Sequence, residues 1–238
     1  MKGEDHEKNG RENGSEKSRE RFNPAPSRAV RPVPKSSKGH FVGALVFEGE
    51  NGPQTLHFAS LTEHNASLCL IYRPDFHDIE EQLAALHFTL PNGKPSRHFF
   101  DFRVTQKGGR RVCISVKPER IAVTYEYRAM MAEVKRAAIG NICDAVATIT
   151  ERNIDPVELH NAKLFHDARH REPEIDEIVL KSLAEVRDPT TINEFLLKAG
   201  LGGRGFFSVA RAIRFGQATL FTPEPIRGKT LIVRGEAV

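Results

Sequence analysis

The sequence predicts an α/β core followed by a small, mainly helical domain, and three observations carry that expectation. From Phe41 to about Thr150, segments with strand and helix patterning follow in the order strand, helix, strand, strand, strand, helix. Beyond residue 150, three short amphipathic segments precede two short strand-like ones. Residues 1–40 are polar, charged and proline-rich, a composition that lacks the apolar surface needed for a packed core. The expected organisation is a disordered basic tail over 1–40, an α/β domain over 41–150 and a helical domain over 151–238.

The elements follow in order. Phe41 to Phe47 is an apolar strand, the glycines between Gly49 and Pro53 mark a turn, and a second strand runs to Phe58. Ser60 is an N-cap with Glu63 three residues on, a capping-box spacing that opens a helix through about Leu70. Pro74 ends it. Ile79 to Leu90 reads as one strand, and Asn92-Gly93 as a turn. Phe99 to Thr105 and Arg111 to Val116 then form a hairpin around Lys107-Gly108-Gly109. From Tyr125 to Thr150 the spacing of Met130, Val134, Ala138, Ile142 and Val146 predicts one helix.

The net charge of +4 is unevenly spread. Met1 to His40 holds ten Lys/Arg and six Asp/Glu, which leaves 25 of each sign in the remainder. Within the tail, Phe22 to His40 carries Arg28, Arg31, Lys35 and Lys38 among four prolines and no acidic residue, a segment suited to tracking phosphates or linking domains. No stretch has the length and apolarity of a membrane span, so a soluble intracellular chain is expected. Cys69, Cys113 and Cys143 lack metal-ligand spacing and sit among apolar residues, which predicts reduced packing cysteines. His166 and His170 stand at i and i+4, but no accompanying carboxylate motif makes them a metal site.

Glu63 on the first helix, Asp101 leading into a strand and Lys117 ending the partner strand form a chemically suggestive set. Hydrolysis of a phosphodiester needs an activated water and a stabilised leaving group, and a magnesium or manganese ion held by carboxylates supplies both. Lys117 would orient the water or neutralise transition-state charge. The same spacing also fits a turn-capping Asp101, a helix-capping Glu63 and a solvated Lys117.

Longer words surround these residues. Phe58-Ala-Ser-Leu-Thr-Glu63-His-Asn, Arg73-Pro74-Asp75, Ile79-Glu-Glu-Gln82, His98-Phe-Phe-Asp101-Phe-Arg-Val104 and Ser115-Val-Lys117-Pro118 follow one another. From about Phe41 to Lys117, their order and spacing resemble the TnsA family, the restriction-enzyme-like endonuclease subunits of heteromeric transposases. That resemblance implies a restriction-endonuclease-like mixed sheet flanked by helices. It implies Glu63, Asp101 and Lys117 as catalytic residues, Mg2+ or Mn2+ held by Glu63, Asp101, Ser115 and the Val116 carbonyl, and a structural Gln82. It further implies double-stranded DNA at transposon ends as substrate, a TnsB-like transposase and a TnsC-like ATPase as partners, and a cytoplasmic, nucleoid-associated location in a bacterium or mobile element. Two positions depart from the family pattern. Phe100 stands where proline is usual, and Ser115 where Glu or Gln is usual, which removes a long-armed metal ligand. A bridging water, the ligands that remain, or Glu119, Glu126 or Glu133 would have to compensate. The alternatives are a catalytically degenerate DNA-binding or assembly subunit, and a stand-alone restriction or repair nuclease.

In the C-terminal third, Ile175 to Val186, Thr191 to Ala199 and Gly205 to Phe215 read as helices, with strands at Ala218 to Phe221 and Thr230 to Val233, which is winged-helix order. Arg204, Arg211 and Arg214 fall within about 80° at helical pitch, which marks the third helix as a candidate DNA-reading element. A protein-interaction domain with solvated arginines is the other reading. Arg28 and Arg31 complete the expected DNA contacts.

Overall fold

The computed structural model describes residues 23–31 and 41–235. The expectations for 1–22, and for Lys35 and Lys38, fall outside the described residues.

The chain opens with an antiparallel hairpin, β1 (Gly43–Gly49) and β2 (Gly52–Phe58), closed by Gly52 at φ 102°, a left-handed conformation that glycine adopts without strain. Helix α1 (Leu61–Ile71) starts at Ser60, whose hydroxyl accepts the Glu63 N–H at 3.1 Å. Then come β3 (Phe76–Glu81), the hairpin of β4 (Leu86–Thr89) with β5 (Pro95–His98), and the hairpin of β6 (Phe102–Gln106) with β7 (Arg111–Val116). A short α2 (Glu119–Ala122) leads to α3 (Tyr125–Ala138), which is followed by β8 (Ala145–Ile149). The central sheet has the order β3-β6-β7-β8 and is mixed, because β8 lies parallel to β7 while the other neighbours are antiparallel.

Helices cover this sheet on both faces. One face of apolar side chains, including Ile79, Phe102, Ile114 and Val116, packs with Leu68 and Ile71 of α1 and with the first hairpin. The opposite face, including Phe100 and Cys113, packs against Tyr127, Met131 and Val134 of α3 and against β4. Burial of these side chains supplies the main stabilising term of the domain. Cys69, Cys113 and Cys143 are buried and free, in keeping with packing roles.

Two elements differ from expectation. The strand expected over Ile79 to Leu90 is two strands, because Gln82 turns the chain with φ 48°. The helix expected to reach Thr150 stops at Ala138. Gly140, at φ 79°, reverses the chain, and Ala145 to Ile149 becomes a strand. Ile142 and Val146 sustain a four-residue spacing past the helix end, but Val146, Thr148 and Ile149 are β-branched and pair with β7.

After a 3-10 turn come α4 (Pro156–Asp167), α5 (Pro173–Ala184), β9 (Thr190–Thr191), α6 (Ile192–Lys198), α7 (Phe206–Arg214), β10 (Ala218–Leu220) and β11 (Leu231–Arg234). The three short strands pair in the order β10-β11-β9, so a third, two-residue strand joins the expected hairpin. Around them Val179, Leu183, Ile192, Phe195, Val209 and Ile232 form a third core. The expected boundary at residue 150 cuts between cores that α4 bridges: Ala162 belongs to the first, while Leu164 and Phe165 touch the third. No helix among the described residues is long and apolar enough to cross a membrane.

Residues 23–31, expected to belong to a disordered tail, run as a strap over the sheet edge. Ala25 sits between Pro53 and Thr55 through backbone hydrogen bonds of 2.8 and 3.0 Å, and the Val30 N–H donates to the Gln82 carbonyl at 3.1 Å. Backbone pairing of this kind depends little on side chains, which is why composition misreads it.

Candidate active site

Glu63 is placed by the helix cap. Its Oε2 accepts the Ala59 N–H at 2.9 Å and its Oε1 accepts the Ser60 hydroxyl at 3.1 Å, so the carboxylate folds back over the start of α1 and is buried. Asp101 lies just before β6, where its N–H donates to the Ile114 carbonyl at 3.0 Å and its Oδ2 accepts the Val116 N–H at 2.8 Å. These bonds fix it beside the end of β7. Lys117 Nζ lies 3.9 Å from the same Oδ2. The strand ends therefore bring Asp101 and Lys117 together, as their sequence positions suggest.

Gln82 links the Glu63 carboxylate to the Asp101 backbone. Its side-chain amide donates to Glu63 Oε2 at 3.5 Å, and its backbone N–H donates to the Asp101 carbonyl at 2.8 Å. The turned backbone at Gln82 makes both contacts possible. Burial pushes the Glu63 carboxyl above its ordinary value; the Ala59 N–H opposes this and the nearby Asp101 charge adds to it. Burial likewise raises Asp101, against the pull of Lys117, the Val116 N–H and Arg31. Glu63 is thus raised by its own burial and by the charge of Asp101, while Asp101 has the cations Lys117 and Arg31 beside it.

Ser115 does not join them. Its hydroxyl is fully buried and lies 2.7 Å from His98 Nε2, while the Tyr127 hydroxyl lies 3.0 Å from Thr148 Oγ1. The His98 ring packs edge-on against Phe100, with centroids 4.7 Å apart, and burial pushes its pKa down to about 4. Ser115 is thus corrected from metal ligand to member of a buried, uncharged network, because its short hydroxyl is satisfied within reach and has no arm to extend further. Val116 meets Asp101 through its N–H. Glu119, Glu126 and Glu133 make no hydrogen bond or ion pair with Glu63, Asp101 or Lys117 among the described residues; Glu133 pairs with Arg136 instead.

The donors that remain are oxygens, from Glu63 and Asp101. Magnesium is commonly held by one or two carboxylates, with water and substrate phosphate completing the shell, so the pair fits such an ion as a partial cage. Among the described residues, no group of three or more His, Cys, Asp or Glu side chains is arranged to hold a metal.

The expected DNA-contacting arginines divide. Arg211 is corrected: it is 6% exposed and donates to Asp176 Oδ1 at 2.6 and 2.9 Å, to the Ala168 and His170 carbonyls and to the Ser208 hydroxyl. Helical pitch places it with Arg204 and Arg214, but α7 packs that side against α4 and α5. Arg214 is also corrected. Its guanidinium lies over the Tyr72 ring at 4.4 Å, inside the contact between the two halves of the molecule. Arg204 stays exposed in a 3-10 turn before α7. Arg28 is a strap anchor, bidentate to Asp78 at 2.7 and 2.9 Å, and so is not a free DNA contact. Arg31 reaches the site itself, where its Nε donates to Gln82 Oε1 at 2.9 Å and its Nη2 lies 3.8 Å from Asp101 Oδ1. His166 bonds to the Tyr72 hydroxyl at 3.0 Å, and α4 ends before His170, so those histidines are no metal pair.

Sequence reasoning missed His98 and the bridging role of Gln82. Nothing in local spacing marks either one, since each acts through a partner on another element. No family model matches the chain, and no curated protein matches it.

Proposed function

We propose that the protein is a metal-dependent DNA endonuclease subunit of the TnsA kind, with a restriction-endonuclease-like domain and a winged-helix-like C-terminal domain, that cuts one strand at transposon ends beside a TnsB-like transposase and a TnsC-like ATPase. The observation that carries this reading is the convergence of Asp101 and Lys117 at adjacent strand ends with buried Glu63 linked through Gln82. The resemblance between Phe41 and Lys117 supplies the transposon context, and the mixed sheet with helices on both faces is compatible with it.

Glu63 and Asp101 would hold the ion. When bound, a magnesium or manganese ion supplies an acidified water and charge for the leaving oxygen. Asp101 is held rigid by Val116, so its Oδ1, 3.8 Å from Arg31 Nη2, keeps a fixed direction. Lys117 sits where its ammonium group can orient a water or offset negative charge at phosphorus. Gln82 limits rotation of the Glu63 carboxylate.

The retained serine network favours a second reading, a DNA-binding or assembly subunit with a degenerate site, because Ser115 is committed to His98. Nicking of an end-labelled transposon-end duplex separates the two. We expect the full chain, with its partner transposase and Mg2+ or Mn2+, to nick one strand and Asp101→Ala to lose that nicking. Intact DNA binding with no metal-dependent nicking by the wild type would instead establish the assembly subunit.

A further inference from the structure

We propose that Arg31, delivered by the N-terminal strap, is a phosphate-binding residue of this site and holds the DNA backbone next to the scissile bond. The inference rests on the endonuclease reading above. Its basis is a contrast between two arginines of the same chain.

Arg211 shows what a structural arginine looks like here: its side chain is 7% exposed, and each of its nitrogens donates to a protein oxygen. Arg31 differs on both counts. Its side chain is 44% exposed, its Nε and Nη2 share the single Gln82 Oε1, and Asp101 at 3.8 Å lies beyond hydrogen-bond length. A guanidinium has five donors in a planar fork, so several have no partner among the described residues beside the candidate reaction centre.

The position is built rather than incidental. Ala25 is paired with Pro53 and Thr55, Ser27 donates to the buried Glu81, Arg28 grips Asp78 and the Ile79 carbonyl, and the Val30 N–H closes on Gln82. These ties hold the strap without the Arg31 side chain. The guanidinium then rests over the Phe99 ring at 5.3 Å, and Arg97, itself exposed, approaches the same ring at 5.6 Å. Arg31, Phe99 and Arg97 make a cationic shelf beside Asp101, with Lys117 at the other oxygen of that carboxylate. Two buried carboxylates by themselves repel a phosphodiester. Open guanidinium donors on the approach reverse that repulsion, and a planar fork matches two phosphate oxygens.

The test compares wild type, Arg31→Ala, Arg31→Lys and Arg28→Ala as full chains, in nicking of the transposon-end duplex with the partner transposase and in duplex binding across a salt series. Thermal melts check that each variant is folded. Arg31→Ala is expected to lower kcat roughly 100-fold, the scale of losing one aimed donor, with a change of only a few-fold in KM. Arg31→Lys should recover part of the rate, and Arg28→Ala, which unties the strap, should fall in the same direction. Wild-type rates in Arg31→Ala overturn the proposal, and so does a faster rate, which would make Arg31 a plug on Asp101. If the wild type does not nick at all, the endonuclease reading fails separately. Duplex binding then decides the role of Arg31: a salt slope smaller by about one unit in Arg31→Ala retains a phosphate contact, and an unchanged slope excludes it.

Discussion

Asp101 is held by bonds that favour its charged form and by a burial that opposes it, and burial dominates. The sign of the resulting pH dependence follows from proton counts. With the folded value raised above the ordinary 3.8, the native state binds more protons than the unfolded chain as pH rises from that value, so stability falls over the interval. Below it both states are neutral and the penalty vanishes. Asp101→Asn is therefore expected to raise the melting temperature at pH 7 in chelator. The gain should disappear below about pH 3.8, and Mg2+ should stabilise the wild type but not the variant. Melts at two pH values, with and without the ion, check all three outcomes. His98 has the opposite dependence. Its pKa is pushed down from 6.5 to about 4, so its neutral form contributes stability that is fully present above 6.5 and is lost as pH falls through about 4.

At the scale of elements, the first turn of α1 serves both folding and site. Ser60 satisfies an N–H at the helix start, and that same cap aims Glu63 back toward Ala59. Ser60→Ala should cost about 1 kcal/mol in chemical denaturation and also weaken Mg2+ binding, since the Glu63 carboxylate loses one of its fixed partners. A loss of stability with unchanged ion affinity would mean that Ala59 alone orients the carboxylate. This turn was legible because an N-cap is local, with donor and acceptor three residues apart. The break at Gln82 was not, because its left-handed backbone is held by Glu63, by the Asp101 backbone and by the strap, each from another part of the chain. The β8 strand was missed for a related reason: Ile142 and Val146 suit either period, and only pairing with β7 selects one.

At the scale of the whole molecule, α4 and α7 join the two halves. Tyr72, at the end of α1, bonds to His166 and carries Arg214 on its ring, while Arg211 ties α7 to Asp176 of α5 and to the segment after α4. An open cleft of ≈ 730 Å³ beside Tyr72 is lined by Arg73, Lys107, Arg169, Arg171 and Arg214, with Glu48 and Glu50 opposing them. Lys107 follows β6 at the end remote from Asp101, about 20 Å along the strand, so this cleft is separate from the candidate reaction centre. Arg211→Ala is expected to destabilise the C-terminal half by about 3–5 kcal/mol, because it leaves Asp176 and several carbonyls without their donor. Calorimetry should show a lowered transition, while the salt slope of DNA binding stays at the wild-type value. A smaller slope with unchanged stability would restore Arg211 to the DNA-facing role that helical pitch alone suggests.

By itself the sequence determined the α/β class, the Ser60 cap, the hairpin turns, and the nearness of Asp101 to Lys117. Those features follow from periodicity, from turn chemistry and from one hairpin, all of them short-range. Tertiary structure alone decided that Ser115 turns to His98, that Arg31 approaches Asp101 while Arg211 is buried, and that Gln82 links the Glu63 carboxylate to the strap. A polar side chain takes whichever partner the packed chain brings within about 3 Å, and at these positions the partner comes from a different element.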